Sequence, residues 1–134
     1  EIGIPDKAYE FKKLVNESIG IIISLAEHNG SYTSAFKNIY DWISVIETKV
    51  WGNKPLILLS TSDGQNAGKT VLQTALSRFS RQSKEEIPHF SLPNFNENFS
   101  DTDGIINKKL SEELDKQISI FSSQVDNLLY SSNN

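Results

Sequence analysis

The 134-residue chain contains no cysteine and no methionine, and only four prolines and two histidines. Without cysteine there is no disulfide framework, no thiolate metal site and no cysteine nucleophile, a composition that suits a cytoplasmic protein. Long hydrophobic runs are also missing. The longest, Ile19 to Leu25, is interrupted by Gly20 and Ser24 and is far too short to cross a bilayer. Basic charge is scarce: 13 Lys and Arg stand against 17 Asp and Glu, a net charge of −4, with no cluster of the kind a nucleic-acid face requires. No internal repeat or low-complexity tract occurs. What remains is 37% hydrophobic residues, enough for the core of one domain over residues 1–134.

Along the chain, strand-like and helix-like segments alternate. Pro5 suits a helix start, and Ala8, Phe11, Leu14 and Val15 fall on one helical face through about Glu17. Ile19 to Leu25 is rich in β-branched residues and apolar on both faces, as a buried parallel strand reads. After the loop from Glu27 to Tyr32, with Ser31 or Thr33 as a cap, Phe36, Ile39, Tyr40 and Ile43 make a helical stripe. Gly52 to Pro55 breaks the chain before a second apolar strand, Leu56 to Leu59. A helix from about Ala67 to Arg81 follows, then a short strand at His89 to Leu92 and a loop from Asn94 to Phe99. A last helix is expected from about Asp103 toward Leu129, with residues 131–134 frayed. Trp51 reads as a core residue or as part of an interface. Strands alternating with helices predict an α/β fold around a parallel sheet with right-handed crossovers.

In such sheets ligands bind beyond the carboxyl ends of the strands, which places two loops at the candidate site. In the first, Asn29 and Gly30 tolerate positive φ and let the backbone turn sharply over a flat ligand, with Ser31 adding a hydroxyl and Tyr32 a ring. Local chemistry alone also permits a plain strand-to-helix turn with a capping serine. The second loop, Ser60 to Gly68, carries three hydroxyls and two glycines. Its stretch Asp63-Gly64-Gln65-Asn66-Ala67-Gly68-Lys69-Thr70 approaches the triphosphate-loop pattern. Asp63 stands where the first glycine is needed, and a carboxylate there repels phosphate, so Lys69 reads as a solvated residue in a helix's first turn.

The stretch from Leu25 to Trp42 resembles the NAD(P)H-dependent FMN reductase family, which shows P-E-Y-N-x-S leading into a helix with L-K-N-x-x-D-W. Glu27, Asn29, Ser31, Lys37, Asn38, Asp41 and Trp42 match, while Ala26 replaces the proline and His28 the tyrosine. Lys54-Pro55, the strand after it, and Ser60-Thr61-Ser62 with Gly64 and Gly68 match the family's next block in order and spacing, and the likeness extends to about Phe121. The resemblance implies a flavodoxin-like three-layer sandwich whose full strand order is 2-1-3-4-5, with this chain supplying strands 3, 4 and 5. It further implies flavin mononucleotide (FMN) as cofactor, NADPH or NADH as hydride donor, and a small-molecule acceptor such as a flavin or quinone. The assembly it implies is a homodimer or homotetramer. The site residues it implies are Glu27, His28, Asn29, Gly30, Ser31 and Tyr32 against the isoalloxazine ring and Thr61, Ser62, Asp63 and Gly64 at its other edge. The flavin carries the chemistry, so no catalytic acid–base pair is expected. His28 sits beside the ring or bonds within its loop. The competing reading is a non-enzymatic flavodoxin-like electron carrier or regulatory module.

The family begins with a strand and a Ser-rich phosphate loop, and nothing before Ile19 reads as such a segment. The expectation is a domain lacking roughly 50–60 N-terminal residues, enough for a β-α-β segment, with an unpaired apolar edge at the Ile19–Leu25 strand.

Overall fold

The computed structural model describes residues 3–132. Helix α1 (Asp6–Glu17) buries Ala8, Lys12 and Val15, a stripe at i, i+4 and i+7. The expected face included Phe11 and Leu14, which instead are 37% and 65% exposed. Lys12 displaces them because its ammonium has partners across the gap. It donates to the carbonyls of Lys49 at 3.2 Å and Val50 at 2.6 Å, and pairs with Glu47 at 3.0 Å.

Strand β1 (Ile21–Leu25) starts two residues later than the apolar run suggests. Gly20 is the point of closest approach to the C-terminal helix α5 (Lys108–Ser132), where a Cβ would lie 2.8 Å from Val125 and 2.9 Å from Phe121. β1 runs parallel to β4 (Leu56–Thr61), with Ile21 opposite Leu56 and Leu25 opposite Ser60. β4 in turn runs parallel to β5 (His89–Leu92), with Leu58 opposite His89 and Thr61 opposite Leu92. The order β1-β4-β5 is the one expected for the last three strands of a flavodoxin-like sheet.

Helices cover both faces. On one, α1, α2 (Ser34–Ile46) and α3 (Lys69–Phe79) enclose a core in which Val15, Ile43, Val71 and Phe79 meet Ile23 and Leu25 of β1 and Leu56 and Leu58 of β4. Trp51 lies inside this core, 6% exposed, its ring 5.2 Å from Phe79 and 5.8 Å from Tyr40, so the core reading holds. On the other face α5 packs against β4 and β5. β1 is an edge strand among the described residues, and Ile22 on that second face is 65% exposed.

The bounds of α3 and α5 also differ from the sequence expectation. α3 begins at Lys69 because Ala67 and Gly68 both have positive φ, 56° and 68°. β6 (Phe99–Ser100) and β7 (Gly104–Ile105) pair antiparallel, so α5 starts only at Lys108, with the Asn107 side chain accepting from the Leu110 N–H. α5 continues through Ser132, past the expected start of fraying, and residues 133 and 134 lie outside the described residues. No described helix is long and apolar enough to cross a membrane.

Candidate functional site

The carboxyl ends of β1 and β4 lie side by side, and each delivers one loop to the same rim of the sheet. The first loop is itself a small hairpin. β2 (Glu27–His28) and β3 (Ser31–Tyr32) pair antiparallel, Glu27 opposite Tyr32 and His28 opposite Ser31, leaving Asn29 and Gly30 as a two-residue turn. Their φ values, 51° and 73°, are both positive, as a type I′ hairpin requires and as Asn-Gly supplies at least cost. His28, Asn29, Gly30 and Ser31 are exposed. Thr33, not Ser31, caps α2, accepting from the Phe36 N–H at 3.1 Å.

The base of the hairpin is tied down at both strands. The Tyr32 ring turns inward and meets Phe36 at 5.1 Å. Phe36 stacks on Tyr40 at 6.1 Å, a succession of rings at i, i+4 and i+8. Tyr32 is thus half-buried against the edge of the core. Burial pushes its phenol up to about 12, the neighbouring Tyr40 adds to the rise, and Arg78 offsets part of it. Across the strand, the Glu27 carboxylate accepts from the Val71 N–H at 2.9 Å and from the Asn66 amide at 3.3 Å. Glu27 thus bonds to the start of α3 and puts a negative charge at that helix end, which repels phosphate. That contact, with Asp63, removes the triphosphate reading of the 63–70 stretch.

In the second loop, hydroxyls expected to face a ligand are partly spent on the protein. Ser60 is buried, donates to the Ala67 carbonyl at 2.7 Å and meets the Ser91 hydroxyl at 2.7 Å. Thr61 donates to the Leu92 carbonyl at 2.8 Å, joining the ends of β4 and β5. Ser62, Asp63 and Gly64 form the tip, with the Ser62 hydroxyl on the Gly64 carbonyl at 3.2 Å. A third loop, which sequence reading left without a role, braces this tip. The N–H groups of Asn94 and Phe95 bond to the carbonyls of Gly64 at 3.2 Å and Ser62 at 3.0 Å. Phe95, in the short helix α4 (Phe95–Asn98), stacks on Phe99 at 4.8 Å beside it. Two phenylalanines four residues apart in an Asn-rich loop were the available signal.

Two glycines leave the rim open. A Cβ at Gly30 would meet nothing within 4 Å, and one at Gly64 only the Ser62 hydroxyl at 4.0 Å. A planar ring can therefore approach the backbone at both turns, while exposed hydroxyls and peptide N–H groups supply donors for ring carbonyl acceptors. The residues present fit the ring portion of a flavin. A cleft of about 400 Å³, bounded by Asn53, Lys54, Ser83 and Gln124, lies at the amino end of β4 and is remote from this rim.

The structure is a flavodoxin-like α/β domain with two glycine turns at neighbouring strand ends. The chain belongs to the NADPH-dependent FMN reductase family, whose model matches residues 1–106. The family's description names NADPH and FMN. A 2-hydroxy-1,4-benzoquinone reductase from a Burkholderia species is 34% identical over 73 residues, 54% of this chain and 39% of its own length. Among solved structures, the flavoenzyme NAD(P)H:acceptor oxidoreductase FerB from Paracoccus denitrificans superposes with a TM-score of 0.71 at 18% identity, covering 92% of this chain and 69% of FerB. An oxidoreductase from Corynebacterium diphtheriae gives 0.62 at 18% identity, covering 95% of this chain and 64% of the other. These two likenesses bear on the fold. The chain spans about two fifths of the curated relative.

Proposed function

We propose that this chain forms the ring-binding half of an FMN-dependent oxidoreductase that uses NAD(P)H to reduce a small-molecule acceptor. The observation that carries the reading is the pair of open glycine turns, at Gly30 and Gly64, on neighbouring strand ends. Asn29, Gly30 and Ser31 lie against one part of the ring, and Ser62, Asp63 and Gly64 against another, with His28 beside it. Glu27, Tyr32 and Thr61 serve behind them, holding the two loops. Bound there, FMN would supply the redox chemistry that links NAD(P)H to the acceptor. The protein's own part is positional: it holds the ring edge-on to fixed donors and keeps its face open to a second planar molecule. The likeness to a quinone reductase makes a quinone the first acceptor to test. A homodimer or homotetramer and a cytoplasmic location belong to the same reading, and size-exclusion chromatography with light scattering checks the first.

Anaerobic addition of NADPH to the FMN-loaded intact protein tests the activity. Bleaching of the flavin band, reversed by a benzoquinone with steady turnover, is the expected result. A bound flavin that neither NADPH nor NADH reduces contradicts it and favours the non-enzymatic electron-transfer module.

A further inference from the structure

We propose that Glu27 is a positioning residue for the ring seat, the brace that locks the β2–β3 hairpin onto helix α3. The inference rests on the functional reading above for its consequence, and on geometry for its existence.

Helix α3 has no side-chain cap of its own, because Gly68 precedes its first residue. A side chain is disfavoured there. Gly68 has φ of 68°, and a Cβ would stand 3.1 Å from the Ser60 Cβ. The helix is therefore left with unsatisfied N–H donors and the positive end of its dipole. Glu27, 44 residues away in sequence from Val71, supplies what is missing: one carboxylate oxygen accepts from Val71 N–H at 2.9 Å, the other from Asn66 at 3.3 Å. One side chain thus joins the hairpin to both the helix and the turn before it.

The hairpin needs such an anchor. It has only two residue pairs, and so short a ribbon does not hold its own position in water. Glu27 and Tyr32 are directly opposite each other at its base, and everything beyond them is exposed. Tyr32 fixes one strand through apolar packing, which tolerates rotation about the contact. Glu27 fixes the other through two directional bonds, which do not. With the brace in place the tip at Asn29 and Gly30 has a defined height relative to Gly64. Without it the hairpin pivots on Tyr32, and the two turns no longer present a single seat.

FMN titration of the intact protein, read by flavin fluorescence, tests this with three variants. Glu27→Ala is expected to weaken FMN binding by about tenfold, the loss typical of a hydrogen bond to a charged group. Glu27→Gln keeps an acceptor oxygen for Val71 and is expected to stay within about threefold of the parent. Ala75→Gly loosens α3 from its core side without removing the Glu27 bonds and is expected to bind FMN as the parent does. Amide exchange at Asn29, Gly30 and Ser31 is expected to accelerate in Glu27→Ala alone. Unchanged FMN affinity in Glu27→Ala, or an equal loss in Ala75→Gly, overturns the proposal. If the parent protein binds no FMN, the functional reading fails, and exchange alone decides the brace: accelerated hairpin exchange in Glu27→Ala upholds it, and unchanged exchange overturns it.

Discussion

The ammonium of Lys12 reaches the Val50 carbonyl at 2.6 Å from a side chain only 3% exposed, tying α1 to the turn that precedes β4. A lysine in a helix's buried stripe is costly unless every proton finds an acceptor, and here two carbonyls and a carboxylate provide them. Lys12→Met keeps the apolar stem and takes the donor away from the Val50 carbonyl and the Glu47 carboxylate, while the Lys49 carbonyl keeps the Gly52 N–H at 2.9 Å. It is expected to lower stability by about 2–4 kcal/mol, measured by urea unfolding.

Glu47 is the exposed end of that network. The hydrogen bond from Lys12, supported by its charge, Asn16 and Lys49, holds the carboxyl below its ordinary value of 4.5. A depressed folded-state value stabilises the fold above the unfolded pKa and loses that contribution as pH falls through the folded one. The stability gap between the parent and Glu47→Gln should be present at pH 7 and narrow as pH falls below 4.5. A gap that persists unchanged at pH 3 contradicts this.

Tyr32 has the opposite dependence. Its phenol is raised to about 12, and its hydroxyl is buried with no hydrogen-bond partner among the described residues. The neutral form is favoured in the fold, so its contribution is complete below pH 10 and is lost as pH rises toward 12. Tyr32→Phe is expected to be neutral or stabilising by up to about 1 kcal/mol at pH 7, since an unsatisfied hydroxyl leaves the interior. Above pH 10 the parent should lose stability faster than the variant, as paired denaturant titrations would show.

Gly68 is the one glycine at which conformation and space both forbid a side chain. Gly68→Ala combines a left-handed φ with a 3.1 Å approach to Ser60. The expected cost is about 1–3 kcal/mol, read as a fall in the urea midpoint with unchanged slope.

The legible parts of the fold were those written in local patterns. β5 at His89–Leu92, α1 ending at Glu17, and the Phe36, Ile39, Tyr40, Ile43 stripe follow directly from side-chain periodicity. Long-range pairing was not legible. Periodicity cannot see that Lys12 finds acceptors 37 and 38 residues away, so Phe11 and Leu14 looked buried. It cannot see that Gly104 and Ile105 pair with Phe99 and Ser100, which delays α5. At the site, Asn29-Gly30 announced a turn, and the family resemblance placed Glu27, Tyr32 and Thr61 against the ligand. The structure gives those three other partners: Val71, Phe36 and Leu92. For Tyr32 the signal was present, since Tyr32, Phe36 and Tyr40 repeat at the spacing of one helical face. For Glu27 it was not, because its partner is a backbone amide in another element.

The central claim is that the turns at Gly30 and Gly64 together seat the flavin ring. Titration of the isotope-labelled intact protein with FMN, followed by amide chemical shifts, tests it most directly. The account predicts the largest shifts at Asn29, Gly30 and Ser31 and at Ser62, Asp63 and Gly64, saturating together. Shifts confined to the cleft around Lys54 and Ser83, or no shifts at either turn on FMN saturation, would contradict it.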